Sequence, residues 1–343
     1  MNQGTFTLTF GQEPSSYIKR DDVAKEICDD FFLDFPLSHV YVITGVRGSG
    51  KTVLLTSISK KIAEKKDWIV VDVNPNREIL SQVAAGLYEC PAVKPYFLAG
   101  SFSISFKGFG FSIEGKEPVS NIKTVLERML RVLNGHKKKV LITIDEMSKN
   151  SNTKAFVHDF QSLLRDGFPV FLLMTGLYEN VDALQNNRNL AFLYRAPKVN
   201  LQPLDISRIE GEYRKIFKGI PEETARQLAA LTKGYAFAYQ VVGYLFSKYG
   251  DAGKIIEEYD RYLSVYVYDK IWESLPQKER VFLRSFDSEE EQAKTLQEKS
   301  GFTPKEYSVY RDRLIKRGLV SGAARGTLSF TLPRFLEFIA KEI

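Results

Sequence analysis

Eight consecutive residues, Gly45-Val46-Arg47-Gly48-Ser49-Gly50-Lys51-Thr52, fit the pattern G-x-x-x-x-G-K-[ST] in full. Chance would place that pattern in only about one chain in a hundred of this length. Its chemistry is phosphate binding. Glycines let the backbone turn so that successive N–H groups converge on phosphate oxygens, and the positive end of a following helix faces the same anion. Lys51 is placed to reach the β- and γ-phosphates, Thr52 to offer its hydroxyl to Mg²⁺, and Val53 continues the cradle. Asp145 and Glu146 supply a second chemistry. The first carboxylate suits the water shell of a metal ion, and the second suits orienting and deprotonating a water.

The elements around these residues are the ones such chemistry requires. His39–Thr44 is a short, β-branched apolar run that reads as a buried strand entering the glycine loop, and Val53–Ile58 continues beyond it as a helix. Val140–Ile144 is almost uniformly apolar, as a central parallel strand is, and it ends on Asp145-Glu146. Carboxylates there are not packing residues, because burying them unpaired is costly. The edge of the sheet at the strands' C-terminal ends is also where ligands bind in α/β folds. Phe171–Met174 is a further strand, ending on Thr175-Gly176. Thr175 is either a strand-to-helix turn residue or a polar contact to the γ-phosphate and attacking water. Arg195 lies beside Pro197 and an apolar run. It is either a surface arginine or one that reaches a neighbouring subunit's nucleotide, where a guanidinium stabilises transition-state charge.

The chain of 343 residues has room for two or three domains, and its hydrophobic share of 44% and charged share of 26% are those of an ordinary globular protein. The net charge of +6 is compatible with nucleic acid without requiring it, since both signs are spread along the chain. Two cysteines, Cys28 and Cys90, exclude a disulfide framework and a cysteine-based zinc site, and His39, His136 and His158 lack ligand spacing. Met1–Phe6 has neither a basic start nor an apolar core, so no signal peptide is expected. No apolar run approaches the ~20 residues of a membrane span. These readings predict a cytoplasmic protein with no membrane partner.

Residues 1–202 read as the phosphate-binding α/β domain, 203–274 as a small helical domain, and 275–343 as a winged helix-turn-helix. Within the first, residues 101–113 alternate apolar and polar side chains around Lys107-Gly108, a β-hairpin signal. Its phenylalanines either pack on their own domain or contact a partner. In the last, Pro276–Leu283 starts one helix, Ala293–Lys299 forms a second, and Thr303-Pro304 opens a third as N-cap and first helical residue. Val309, Leu314 and Ile315 are expected to face inward, leaving Lys305, Tyr307, Ser308, Arg311 and Arg313 outside. Arg325 sits at the tip of a small hairpin. In DNA-binding versions the third helix enters the major groove and the wing contacts the backbone, whereas other winged helices dock on protein.

Together, Gly45–Thr52, Asp145-Glu146, Thr175-Gly176, the helical domain and the terminal module resemble the AAA+-like P-loop ATPases. More narrowly they are similar to the archaeal-type ATPases of the STAND group and to their relatives, the origin-recognition initiator ATPases. The resemblance covers most of the chain. It implies an α/β fold with a parallel sheet sandwiched by helices, followed by an all-α lid and a winged helix. It also implies ATP and Mg²⁺ as cofactors, an adenine contact near Tyr17 and Ile18, double-stranded DNA as a partner, and a homo-oligomer in the ATP state. Two positions depart from the pattern. The lid helix reads Gly234-Tyr235-Ala236-Phe237-Ala238-Tyr239, with no arginine for the γ-phosphate and Ala236 where STAND proteins usually carry proline. Both departures favour a nucleotide switch over brisk turnover. The expectation is therefore a slow ATPase whose bound state controls DNA engagement or assembly. The alternative is a DNA-binding regulator or docking scaffold in which ATP is a structural or sensory ligand.

Overall fold

Apolar runs of five to seven residues, separated by helical stretches, build the first part of the chain. The computed structural model describes residues 5–8, 14–99, 103–107, 110–114, 121–186 and 191–342. In it, α1 (Asp21–Phe32) leads to β1 (Val40–Thr44), the glycine loop and α2 (Lys51–Ala63). There follow β2 (Trp68–Val73), α3 (Ile79–Glu89), α4 (Lys94–Ala99), β3 (Ser103–Lys107), β4 (Gly110–Glu114) and α5 (Ile122–Gly135). Next come β5 (Lys139–Ile144), α6 (Ser151–Arg165), β6 (Val170–Gly176), α7 (Tyr178–Gln185), α8 (Ala191–Tyr194) and β7 (Lys198–Asn200).

Five of these strands form one parallel sheet in the order β2-β5-β6-β1-β7. β1 and β6 are buried throughout, and β5 everywhere except at its first residue, as strands covered on both faces must be. In α5, Leu126, Met129, Leu130 and Leu133 repeat at helical spacing and form the stripe that packs into the sheet's core. Asn121 and Asn150 start α5 and α6 by accepting the Lys123 and Thr153 N–H groups. β3 and β4 pair antiparallel, with Ser103 opposite Glu114 and Lys107 opposite Gly110, which is the hairpin the alternation predicts. Phe102, Gly108 and Phe109 lie outside the described residues.

The chain divides into two compact units: Arg20–Thr44 with Lys51–Asn200, and Met1–Lys19 with Gly45–Gly50 and Leu201–Ile343. The second unit contains α9 (Ile206–Ile216), α10 (Glu222–Leu231), α11 (Ala236–Tyr249), α12 (Ile256–Leu263), a π-helical turn at Ser264–Tyr268 and α13 (Asp269–Ser274). It continues with α14 (Gln277–Arg284), β8 (Glu290–Gln292), α15 (Ala293–Ser300), α16 (Pro304–Arg317), β9 (Val320–Ser321), β10 (Thr327–Phe330) and α17 (Phe335–Lys341). One hydrophobic core runs through it, joining Tyr239, Tyr259 and Trp272 to Phe282, Leu296 and Phe335. The expected division at 274/275 thus falls inside a continuously packed body.

At the start of α16 the Thr303 hydroxyl accepts the Glu306 N–H, and Glu306 reaches back to the Thr303 N–H, a reciprocal cap. β8 was not anticipated: Glu290-Glu291-Gln292 has no strand signal and is ordered by pairing with β10. The inner face of α16 also differs from expectation. Tyr307 is only 5% exposed and stacks on Phe282 at 5.2 Å, whereas Val309 is 41% exposed. Counting from Pro304, the stripe that meets the core is Tyr307, Tyr310 and Leu314, at spacings of three and four. Tyr307 is therefore removed from the outward-facing set, and Val309 is added to it.

Candidate nucleotide site

β5 and β6 lie side by side with Ile144 opposite Met174, so the residues that follow, Asp145 and Thr175, emerge as neighbours at the C-terminal edge of the sheet. Asp145 organises the hydroxyls around it. Its Oδ1 accepts from the Thr175 hydroxyl and, at 3.1 Å, from the Glu146 N–H; its Oδ2 accepts from the Thr52 hydroxyl at 2.8 Å. Thr175 Oγ1 in turn accepts the Glu146 N–H at 3.0 Å, and the Thr175 carbonyl accepts the Met147 N–H at 2.7 Å. Glu146 is held with φ +54°, in the left-handed region that a non-glycine residue adopts only where its surroundings enforce it. The result is an exposed carboxylate on a fixed backbone, next to a half-buried one.

Thr52 and Asp145 are hard oxygen donors brought to one point, the donor set that suits Mg²⁺ with its retained waters. Thr52 and Val53 lie in the first turn of α2, where Lys51 is the first residue. Sequence reading missed a third carboxylate beside them. Asp72 on β2 pairs with Thr143 in the strand register and accepts a hydrogen bond from its hydroxyl. Partial loss of solvent, and then the charge of Asp145, push the Asp72 carboxyl above its ordinary range. An aspartate on an otherwise apolar strand gives no sign of this until the register of β2 with β5 is known.

The remainder of the octapeptide, Gly45–Gly50, is held in the second unit. Gly48 and Gly50 take φ of +75° and +90°, so the loop has the left-handed turns that the glycines allow. The Tyr235 hydroxyl donates to the Arg47 carbonyl at 2.5 Å, and the Phe237 N–H, in the first turn of α11, donates to the Gly48 carbonyl at 3.1 Å. A Cβ at Gly48 would sit 2.2 Å from Tyr235 Oη. Tyr235 and Phe237 thus hold the loop through the Arg47 and Gly48 carbonyls. Ser49 is buried, and Val46 packs on the unit's core.

The N-terminal segment expected near the adenine also rests on α11. Gln240 Nε2 donates to the Ser16 carbonyl at 2.6 Å, Gln240 Oε1 accepts the Thr7 N–H at 3.0 Å, and the Ser16 and Tyr239 hydroxyls lie 2.7 Å apart. Tyr17 is half-buried, and Ile18 packs on the same core. Arg195 is exposed just past α8, away from any hydrogen bond to Asp145, Glu146 or Thr175. Lys305 and Ser308 are exposed on α16, Arg325 is exposed between β9 and β10, and Arg311 is half-buried with its guanidinium on Asp312 at 2.8 Å.

Comparison with known proteins agrees with this architecture. Two solved structures match nearly end to end. The Walker-type ATPase PABY2304 of Pyrococcus abyssi has a TM-score of 0.67 at 13% identity, covering 98% of this chain and 99% of its own. The Aeropyrum pernix ORC2 protein, in its ADPNP-ADP complexes, has a TM-score of 0.61 at 15% identity, covering 97% and 96%. A family model described as a domain of unknown function, DUF8462, matches residues 265–339. Among curated protein sequences none matches this chain. The fold is the one shared with these two structures, an α/β domain with a parallel sheet between helices, followed by helical elements.

Proposed function

We propose that this protein binds ATP with Mg²⁺ through Gly45–Val53 and hydrolyses it slowly, using the nucleotide state as a switch. One observation carries the reading: Asp145 accepts hydrogen bonds from both Thr52 and Thr175, and Thr175 receives the Glu146 N–H. That bonded edge supports reading Asp145 as metal ligand, Thr175 as γ-phosphate contact and Glu146 as general base. Lys51 neutralises the β/γ-phosphates, Thr52 and Asp145 hold the metal and its waters, and Glu146 takes the proton of the attacking water. Thr175 fixes the Glu146 backbone and faces the γ-phosphate. Likeness in fold to the Walker-type ATPase PABY2304 supports the same class.

Tyr235 makes the switch. It reads the glycine loop through the Arg47 carbonyl, so a loop rearranged around phosphate alters the start of α11. The terminal module acts as a winged helix, with Lys305, Ser308 and Arg325 contacting duplex DNA and the nucleotide state setting its engagement. Arg195 belongs to a neighbouring copy's nucleotide in an ATP-dependent homo-oligomer. The lid helix without arginine supports a second reading, in which ATP is mainly a sensory ligand. Turnover by the full chain with and without duplex DNA separates the two. The switch predicts measurable hydrolysis that DNA alters and that Glu146→Gln lowers by about 10²–10⁴-fold while ATP still binds. A rate unchanged by Glu146→Gln would place the base elsewhere.

A further inference from the structure

The opposite edge of the sheet carries a feature that nucleotide chemistry does not use. Between α1 and β1, Phe35 is 93% exposed, Leu37 84% and Leu33 54%, at alternate positions of one short loop. This loop is held, not frayed. Asp30 Oδ1 accepts the Leu37 N–H at 2.7 Å, and Oδ2 accepts the Ser38 N–H at 3.2 Å and the Tyr41 hydroxyl at 2.9 Å. Behind it, Phe31 packs on Phe171 at 5.1 Å and on Tyr41 at 5.3 Å. Holding three large apolar side chains in water costs solvation free energy that a surface outside the described residues could return.

Charge beside the loop indicates what that is. Lys65 and Lys66 precede β2, and Lys137, Lys138 and Lys139 lead into β5; Trp68 and Lys139 are register partners, so both runs reach one edge. They also touch the loop's footing: Lys139 Nζ donates to the Leu33 carbonyl at 3.4 Å, and Lys65 Nζ lies 5.1 Å over the Phe32 ring. Lys138 Nζ ties the two runs together through the Lys66 carbonyl at 2.7 Å. Asp34, Glu64, Asp67 and the loop's own Asp30 are the acids nearest them in sequence or contact, four against the five lysines. Exposed apolar side chains with lysines at their footing are the pairing that binds a bilayer surface, where neither signal suffices alone.

We propose that this edge docks on an anionic lipid surface, with Phe35 and Leu37 entering the headgroup boundary and the lysines meeting lipid phosphates. The extended run from Lys139 through β5 to Asp145 covers about 20 Å, so docking leaves the carboxylate end of the sheet open. No helix among the described residues is long and apolar enough to cross a membrane, and surface docking needs none. The test is flotation of the full chain with phosphatidylcholine vesicles, alone or mixed with phosphatidylglycerol. The expected result is partition onto the mixed vesicles only. Phe35→Ser with Leu37→Ser should reduce it at least about tenfold, and Lys65→Glu with Lys138→Glu by about fivefold or more per lysine at low salt. Unchanged melting of each variant confirms that it folds. Absence of partition would overturn the proposal, as would partition indifferent to the paired serines. Two further results would also overturn it: duplex DNA that displaces the protein from vesicles whether or not the serines are present, or an acidic protein captured by the tip without lipid binding.

Discussion

The Thr52 hydroxyl donates to Asp145 Oδ2 at 2.8 Å, joining the first turn of the helix after the glycine loop to the end of β5 across 93 residues of sequence. Two polar side chains do not meet there by packing preference, since both could have been solvated. They meet because β1 and β5 are parallel strands of one sheet that end at the same edge, on either side of β6.

Asp145→Asn keeps the shape of that contact and removes its charge. The variant should fold normally and lose about 10- to 100-fold in Mg²⁺ affinity in the presence of ATP, as loss of a carboxylate behind a metal site does. Titration of Mg²⁺ against bound nucleotide, followed by calorimetry, checks it.

Much of this edge was legible in the sequence. Asp145, Glu146 and Thr175 interrupt apolar runs, and polar residues at the ends of buried strands stand out. The P-loop fixes its own neighbours. What the sequence withheld depended on distant partners. Tyr235 sits 188 residues from Arg47 and reads as an ordinary aromatic at a helix start. Asp72 alternates with valines as a solvent-facing strand residue does, and only the register of β2 with β5 brings it to Thr143. Tyr307 was misplaced because a tyrosine suits either face of α16, and its stacking on Phe282 decided the matter.

Gly48 has no room for a side chain. At φ +75° any L-residue is strained, and its Cβ would collide with the Tyr235 hydroxyl. Gly48→Ala should therefore cost about 1–3 kcal/mol of stability. Tyr235→Phe, which deletes one hydrogen bond, should cost about 1 kcal/mol. Chemical denaturation ranks the two, and an alanine variant as stable as the parent would refute the close approach.

Alkaline pH should act on the second unit. Burial pushes the Tyr239 phenol from the usual 10.0 to about 12, and it raises Tyr213, Tyr259 and Tyr268 well beyond their ordinary value. A tyrosine whose folded pKa exceeds its unfolded one contributes stability that is fully present below pH 10 and is lost as pH rises through the folded value. Melting temperature should hold steady to about that unfolded value and then fall steeply, with tyrosinate absorbance appearing only as structure is lost. Gradual ionisation of all tyrosines without unfolding would contradict it.

Binding of nucleoside triphosphate by Gly45–Thr52 stands or falls on the Lys51→Ala variant. Titration calorimetry of ATP with Mg²⁺ into the full chain should show one saturable site, and the variant should lose about 100-fold or more of that affinity, because the cation proposed to meet the β/γ-phosphates is gone. Retention of near-parental ATP affinity by a folded Lys51→Ala protein would contradict the assignment.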